Sequence, residues 1–300
     1  MDSNVLNQMI LLFGLMAVGY IANKAGAIDA VANARFSSFI VKVTLPASIL
    51  SAAMSQHIEN TSEILSVVYV ALILFAAMPV MSLIFTRIFH LEKTYQLMLN
   101  YSNLGFMGLP LIQSVYGQEY IFYVAIYMMI FNVHVFTLGV IILQGRPKNL
   151  KDMVKNICTP GVLSALLALV IAFAKIHLPA AVIDMTAAMG NVTTPLAMAV
   201  IGSQLAELDL KACFRDSRLY IMSALRLIVY PFAIYFGLCA LFGPTMVVKI
   251  SAIIMGLPVA SNVTMLCSEY GGDVGLSAKG TAVSTLLSVA TIPLMLAVIH

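Results

Sequence analysis

Charge is what this sequence has least of. Lys, Arg, Asp and Glu make up 10% of its 300 residues, while 61% are hydrophobic and mean hydropathy is +0.98. A soluble domain carries about 25% charged and about 45–50% apolar residues. Too little polar surface remains to cover a soluble globule, and the charges cluster in short gaps between apolar runs. An integral membrane protein is expected. Alternation of apolar with polar residues is also missing, and the runs last about 20 residues, the length a spanning helix needs and about twice that of a barrel strand. The opening MDSNVLNQ has no positive n-region, so no signal peptide is expected.

Chemistry-bearing clusters are equally scarce. The four cysteines, Cys158, Cys213, Cys239 and Cys267, show no CxxC spacing and indicate neither a disulfide framework nor a metal site. The five histidines, His57, His90, His134, His177 and His300, are scattered and unpaired with acids, which argues against a membrane-embedded enzyme. No cofactor is implied. The net charge of +3 is too small to point to nucleic acid.

What is present is a succession of spans at roughly 4–23, 32–54, 62–86, 95–115, 119–143, 157–175, 182–206, 217–241, 246–268 and 274–298. Lys24, Arg35, Arg87, Lys93, Arg146, Lys148, Lys151, Lys155, Lys211, Arg215 and Arg218 all fall in odd-numbered loops, against Lys175 and Lys249 in the even ones. The positive-inside rule makes the odd loops cytoplasmic and both termini external. Three basic residues fall inside spans. Lys279 and Arg226 are expected to snorkel towards an interface; Lys42, just before Pro46, is deeper and invites a partner within the bundle.

Two short motifs recur. MGLP stands at 107–110 and at 255–258, and VTLP at 43–46 returns as VTTP at 192–195. Each pair is offset by nearly the same distance and occupies the second and fourth span of its half. This order predicts two five-helix copies, 1–150 and 151–300. Five is odd, so the copies insert with opposite orientation, an arrangement common among secondary transporters. Gly108, Pro110, Gly256 and Pro258 are expected to break the fourth and ninth helices, because glycine frees the backbone and proline removes a donor. Paired breaks at mid-membrane bring half-helix N-termini together, each worth about +0.5 charge and suited to a carboxylate. Asn103 and Asn262 supply amides there, and Thr44 and Thr193 can bond carbonyls freed by Pro46 and Pro195. Asn132 and His134 are polar residues within a span, two apart and on different faces. Glu269 and Asp273 follow the second break, either as loop residues at the cytoplasmic end or as proton-coupling carboxylates. Asp184 is expected near the outer end of its helix.

FIVKVTLPASIL, NLGFMGLPLIQSVYG, FNVHVFTLGVIIL, TTPLAMAVIGSQLA and GLPVASNVTMLCSEYGGD, in that order along nearly the whole chain, resemble the auxin efflux carrier family. That family includes plant PIN auxin transporters and bacterial malate or malonate permeases. The resemblance implies an all-α membrane protein of ten transmembrane helices in two inverted five-helix repeats, like bile-acid symporters and sodium–proton antiporters, with broken helices 4 and 9 crossing. It implies a scaffold of helices 1, 2, 6 and 7, a transport bundle of helices 3–5 and 8–10, elevator-like motion, a homodimer and a place in the bacterial cytoplasmic membrane among its lipids. Its substrates are small organic anions, dicarboxylates or auxin-like carboxylates. Carried over by position, the candidate substrate-binding residues are Thr44, Asn103, Gly105, Gly108, Pro110, Gly256, Pro258 and Asn262. Lys42, Asn132, His134 and Glu269 are candidates for coupling, proton coupling included, or gating. The long cytoplasmic loop of many plant PINs is here about a dozen residues, so regulation in that loop does not carry over. A cation/proton antiporter of similar architecture is the alternative; it requires acidic residues beside the breaks, and the sequence has none within 101–110 or 255–262.

Overall fold

The computed structural model describes residues 3–55, 61–145, 158–174, 176, 178–207 and 216–299. The basic stretches at 146–157 and 208–215, together with Lys175, His57, His177 and His300, lie outside them. Among the described residues the fold is helical, with one isolated bridge and no strand.

The helices are α1 (Ser3–Lys24), α2 (Ala30–Met54), α3 (Thr61–Ile88), α4 (Lys93–Asn100), α5 (Leu104–Tyr116), α6 (Gln118–Gln144), α7 (Pro160–Phe173), α8 (Ala180–Ala206), α9 (Ser217–Phe242), α10 (Met246–Met255), α11 (Asn262–Tyr270) and α12 (Val274–Ile299). Six helices (α2, α3, α6, α8, α9 and α12) are long and apolar enough to cross a membrane, and α5, α10 and the Pro160–Ile171 part of α7 are apolar but shorter. The few polar residues mark helix starts, where the first N–H groups lack intrahelical partners. Asp29 accepts from the Ala32 N–H at 2.7 Å, Asp216 from Arg218 at 2.9 Å and Asp273 from Leu276 at 2.8 Å.

Three prolines in this fold are preceded by widened turns. The π-helical segments Ile40–Thr44, Leu104–Gly108 and Leu225–Val229 each end two residues before a proline, namely Pro46, Pro110 and Pro231. A proline ring collides with the carbonyl four residues earlier and offers it no N–H. A π-turn shifts the pairing to i→i+5 and absorbs the misfit without ending the helix. MGLP at 107–110 is therefore helical: Gly108 has φ −65° and ψ −50°, and Pro110 stands at the start of Leu109–Tyr116. The expected break at Gly108 and Pro110 is displaced, and the chain opens five residues before MGLP, at 101–103. The second copy behaves as expected, with α10 ending at Met255 and helix resuming at Asn262. Asn, Ser and Tyr occupy the first opening; Asn and Ser side chains compete with helical backbone bonds, whereas the leucines around Pro110 do not.

The described chain divides into two compact units, each drawing on both sequence halves. One takes residues within 1–65, 105–129 and 158–208, the other within 66–104, 130–157 and 209–300. In the first unit α1 lies against α8 so closely that a Cβ on Gly202 would overlap the Met16 carbonyl oxygen. A polar cluster joins α1, α2 and α8. The Asn33 amide donates to Ser203 Oγ at 2.9 Å and to Glu207 Oε1 at 2.7 Å, the Asn23 amide donates to Ser203 Oγ at 3.0 Å, and Lys24 Nζ donates to the Ala206 carbonyl at 2.7 Å. Helix α5 joins this unit through Gln113, whose Oε1 accepts from Thr194 at 3.0 Å.

Candidate functional site

The site is the place in the second unit where α4 and α10 stop. Ser102 and Val259 form an antiparallel bridge. The Asn103 N–H donates to the Pro258 carbonyl at 2.9 Å, and the Ala260 N–H donates to the Tyr101 carbonyl at 2.9 Å. Backbone groups freed from helix cost several kcal/mol each if left unpaired in hydrocarbon, and here they pair with one another. The Val259 N–H donates to Ser284 Oγ of α12 at 3.1 Å. The two openings are thus one structure: each interrupted segment is the hydrogen-bonding partner of the other.

Carbonyls at the two helix ends are met by Arg226, which the π-turn Leu225–Val229 of α9 carries inward. Its Nε donates to the Leu257 carbonyl at 3.0 Å, and its terminal nitrogens donate to the Leu99 carbonyl and to Ser102 Oγ. Arg226 is fully buried. The expected snorkelling of Arg226 is corrected: its guanidinium turns to the helix openings because three oriented acceptors wait there.

Gly256 belongs here for a steric reason. A Cβ at this position would sit 2.9 Å from Pro231 Cβ and 2.5 Å from Met295 Sδ, so only glycine lets α10 end against α9 and α12. Tyr101, in the first opening, sends its hydroxyl to the His134 carbonyl at 3.2 Å, and its ring stacks edge-on to His134 and Phe131. That carbonyl is exposed to capture because α6 widens into a π-turn at Val135–Gly139.

Of the candidate residues, Asn103, Gly256, Pro258 and Asn262 stand on the two paired openings or at the first residue of the helix that follows. Asn103 is buried and Asn262 partly so. His134 packs beside Tyr101 and Phe75, and Asn132 is buried on the same helix, α6. Glu269 is exposed on the last turn of α11 rather than in a loop, and Asp273 caps α12. In the first unit, Gly105 packs beside Leu45 and Met128, with room for a Cβ at 3.4 Å from Leu45 Cδ1. Lys42 is exposed within its π-turn. The expected bonds from Thr44 and Thr193 to the carbonyls freed by proline do not form: both Oγ1 atoms are buried without a hydrogen-bond partner among the described residues. Asp184 and Lys279 are exposed.

Tyr101, Ser102, Arg226 and Ser284 were missed by motif reading. Asn100 was missed as well: it is 1% exposed, and neither polar atom of its amide has a partner among the described residues. The available signal was the string NYSN at 100–103, four hydrogen-bonding side chains inside an apolar run. No group of His, Cys, Asp and Glu among the described residues could hold a metal ion.

Helices of spanning length and a backbone opened and re-paired inside apolar surroundings define a multi-pass membrane protein of the transporting kind, since such openings are tolerated only within protein or beside a wet cavity. The chain belongs to the membrane transport protein family, whose sequence profile matches residues 4–296. It is the auxin efflux carrier family that the motifs resemble. The chain is also similar to a protein of Rhizobium meliloti (strain 1021) named "Putative malonate transporter", with 24% identity over 304 residues, covering 97% of this chain and 94% of that protein.

Proposed function

We propose that the protein is a secondary carrier of a small organic anion, with a short dicarboxylate such as malonate as the leading substrate class. The observation that carries this reading is the pairing of Tyr101–Asn103 with Pro258–Ala260. The pairing leaves two helix starts, at Leu104 and Asn262, beside the openings. Each helix start carries about +0.5 of effective charge, which suits a carboxylate. Asn103, Asn262 and the unspent amide of Asn100 are neutral donors for the remaining oxygens. The name of the Rhizobium meliloti relative supports a dicarboxylate over an auxin-like acid.

In this reading the chain is a ten-helix inverted repeat in the bacterial cytoplasmic membrane, both termini outside, working as a homodimer by elevator-like motion. Anion export needs no coupling ion where the membrane potential supplies about 2.3 kcal/mol per charge per 100 mV; proton coupling is the other source of drive. Counterflow in proteoliposomes with malonate, malate, longer dicarboxylates and indole-3-acetate, at two pH values, tests the reading. Accumulation of labelled malonate against an internal malonate pool is expected. Absence of counterflow for every acid in the panel would overturn it.

A further inference from the structure

Arg226 puts a full positive charge where two helices end. The last carbonyls of α4 and α10 point into the openings, and each C-terminus is worth about −0.5 charge. Helix α4 stops at Asn100, with Leu97 O taken by the Tyr101 N–H at 3.1 Å and Leu99 O left for Arg226. Helix α10 stops at Met255. Ala252, Ile253 and Ile254 are closed by the N–H groups of Gly256 and Leu257, and Leu257 O is left for Arg226. One guanidinium therefore balances two half-charges. Its three hydrogen-bond partners are all neutral groups, two carbonyls and a hydroxyl. Among the described residues, a buried ion so placed is held by oriented dipoles and not by a counter-ion.

Converging carbonyls and a serine hydroxyl are also the ligand set that an alkali cation takes, since hard monovalent and divalent ions prefer oxygen donors. We propose that Arg226 is the built-in cation of this crossover. It fills the position that a bound monovalent cation would otherwise occupy between two helix C-termini, so the openings are complete without sodium or potassium, and substrate moves independently of both. Arg226 is then a positioning residue. It fixes the geometry of the two openings and cancels their negative ends, leaving the two positive helix starts as the net field on an anion. The statement about transport rests on the carrier reading above; the statement about ion occupancy does not.

The test separates the two. The purified full-length protein is melted in detergent with sodium, potassium or N-methyl-D-glucamine chloride at equal ionic strength. The wild-type midpoint is expected to be the same in all three. Arg226→Gln removes the charge and leaves the oxygens facing one another, so its midpoint should fall by about 5 °C or more. Low millimolar guanidinium, below denaturing levels, or sodium should restore at least half of that fall. A wild-type midpoint that rises with sodium or potassium would overturn the proposal, and so would an Arg226→Gln protein that folds but ignores every cation. If Arg226→Gln does not fold, the wild-type comparison still decides. Malonate counterflow in the same three salts adds the transport arm. Equal wild-type flux is expected, and a tenfold sodium or potassium dependence would overturn the proposal. No malonate flux in any salt would count against the carrier reading alone, because the melting arm remains.

Discussion

The N–H of Asn103 and the carbonyl of Pro258 lie 155 positions apart in sequence and 2.9 Å apart in space. This bond, with its companion between Ala260 and Tyr101, makes one opening unstable without the other. Its consequence is that substitutions at either opening act on both.

Asn103→Ala and Asn262→Ala test the amides. Both backbones keep their pairing, so each variant should still fold and elute like wild type. Malonate counterflow should fall at least tenfold, about 1.4 kcal/mol of lost stabilisation. Wild-type flux in both variants would remove the two amides from the site.

Gly256→Ala introduces a methyl group against Pro231 and Met295. Overpacking of this kind costs about 1–3 kcal/mol, so the apparent melting temperature should drop. Adding Met295→Ala opens the space above the new methyl and should recover part of the loss, although Pro231 still crowds it. Equal stability of Gly256→Ala and wild type would show that α10 can end elsewhere.

Ser284→Ala removes the acceptor of the Val259 N–H while leaving that donor buried. An orphaned buried donor costs about 1–3 kcal/mol. Hydrogen exchange should accelerate locally at 257–261, with little change in α1 and α8. Uniform acceleration across the protein would mean that Ser284 supports the fold at large rather than the opening.

Asn33→Leu strips the first unit of its donor to Ser203 and Glu207. Glu207 is exposed and keeps Asn23 as a donor, so a loss of about 1–2 kcal/mol is expected. Thermal melting checks this, and Asn33→Ser should lose less than Asn33→Leu.

Cysteine labelling tests the orientation deduced from Lys and Arg placement. In a background without native cysteines, Thr245→Cys should react with an impermeant maleimide added to intact cells, and Lys93→Cys only after the membrane is opened. The reverse pattern would invert the topology and with it the sidedness of both openings.

Apolar helical ranges were legible because hydropathy over twenty residues tracks apolar helices, six of which are long enough to cross a membrane. Helical stretches occupy those ranges within a few residues among the described positions. That two helices open was legible from the paired MGLP motifs; where they open was not. Around Pro258 no widened turn intervenes and the helix stops, whereas before Pro110 a π-turn absorbs the ring, so the same four letters produce two backbones. Propensity counts proline as a breaker and does not register the turn that accommodates it. Arg226 was misread for a related reason. Snorkelling is the rule for a basic residue in a span, and only the positions of Leu99, Ser102 and Leu257, all distant in sequence, overrule it. Motif reading reached the amides because they flank the motifs. It missed Ser284 and Tyr101 because nothing in their own neighbourhoods marks them.

The widened turns before Pro46, Pro110 and Pro231 each hold one residue more than the α-helix would. One extra residue turns everything beyond it by about 100°. Side chains before and after such a turn therefore obey two different phases of the same helical wheel. An engineer who replaced Pro46 with alanine would leave a residue too many in α2. Deleting a single position within 40–44 together with the Pro46→Ala replacement is then the change that keeps both ends of the helix facing their present neighbours.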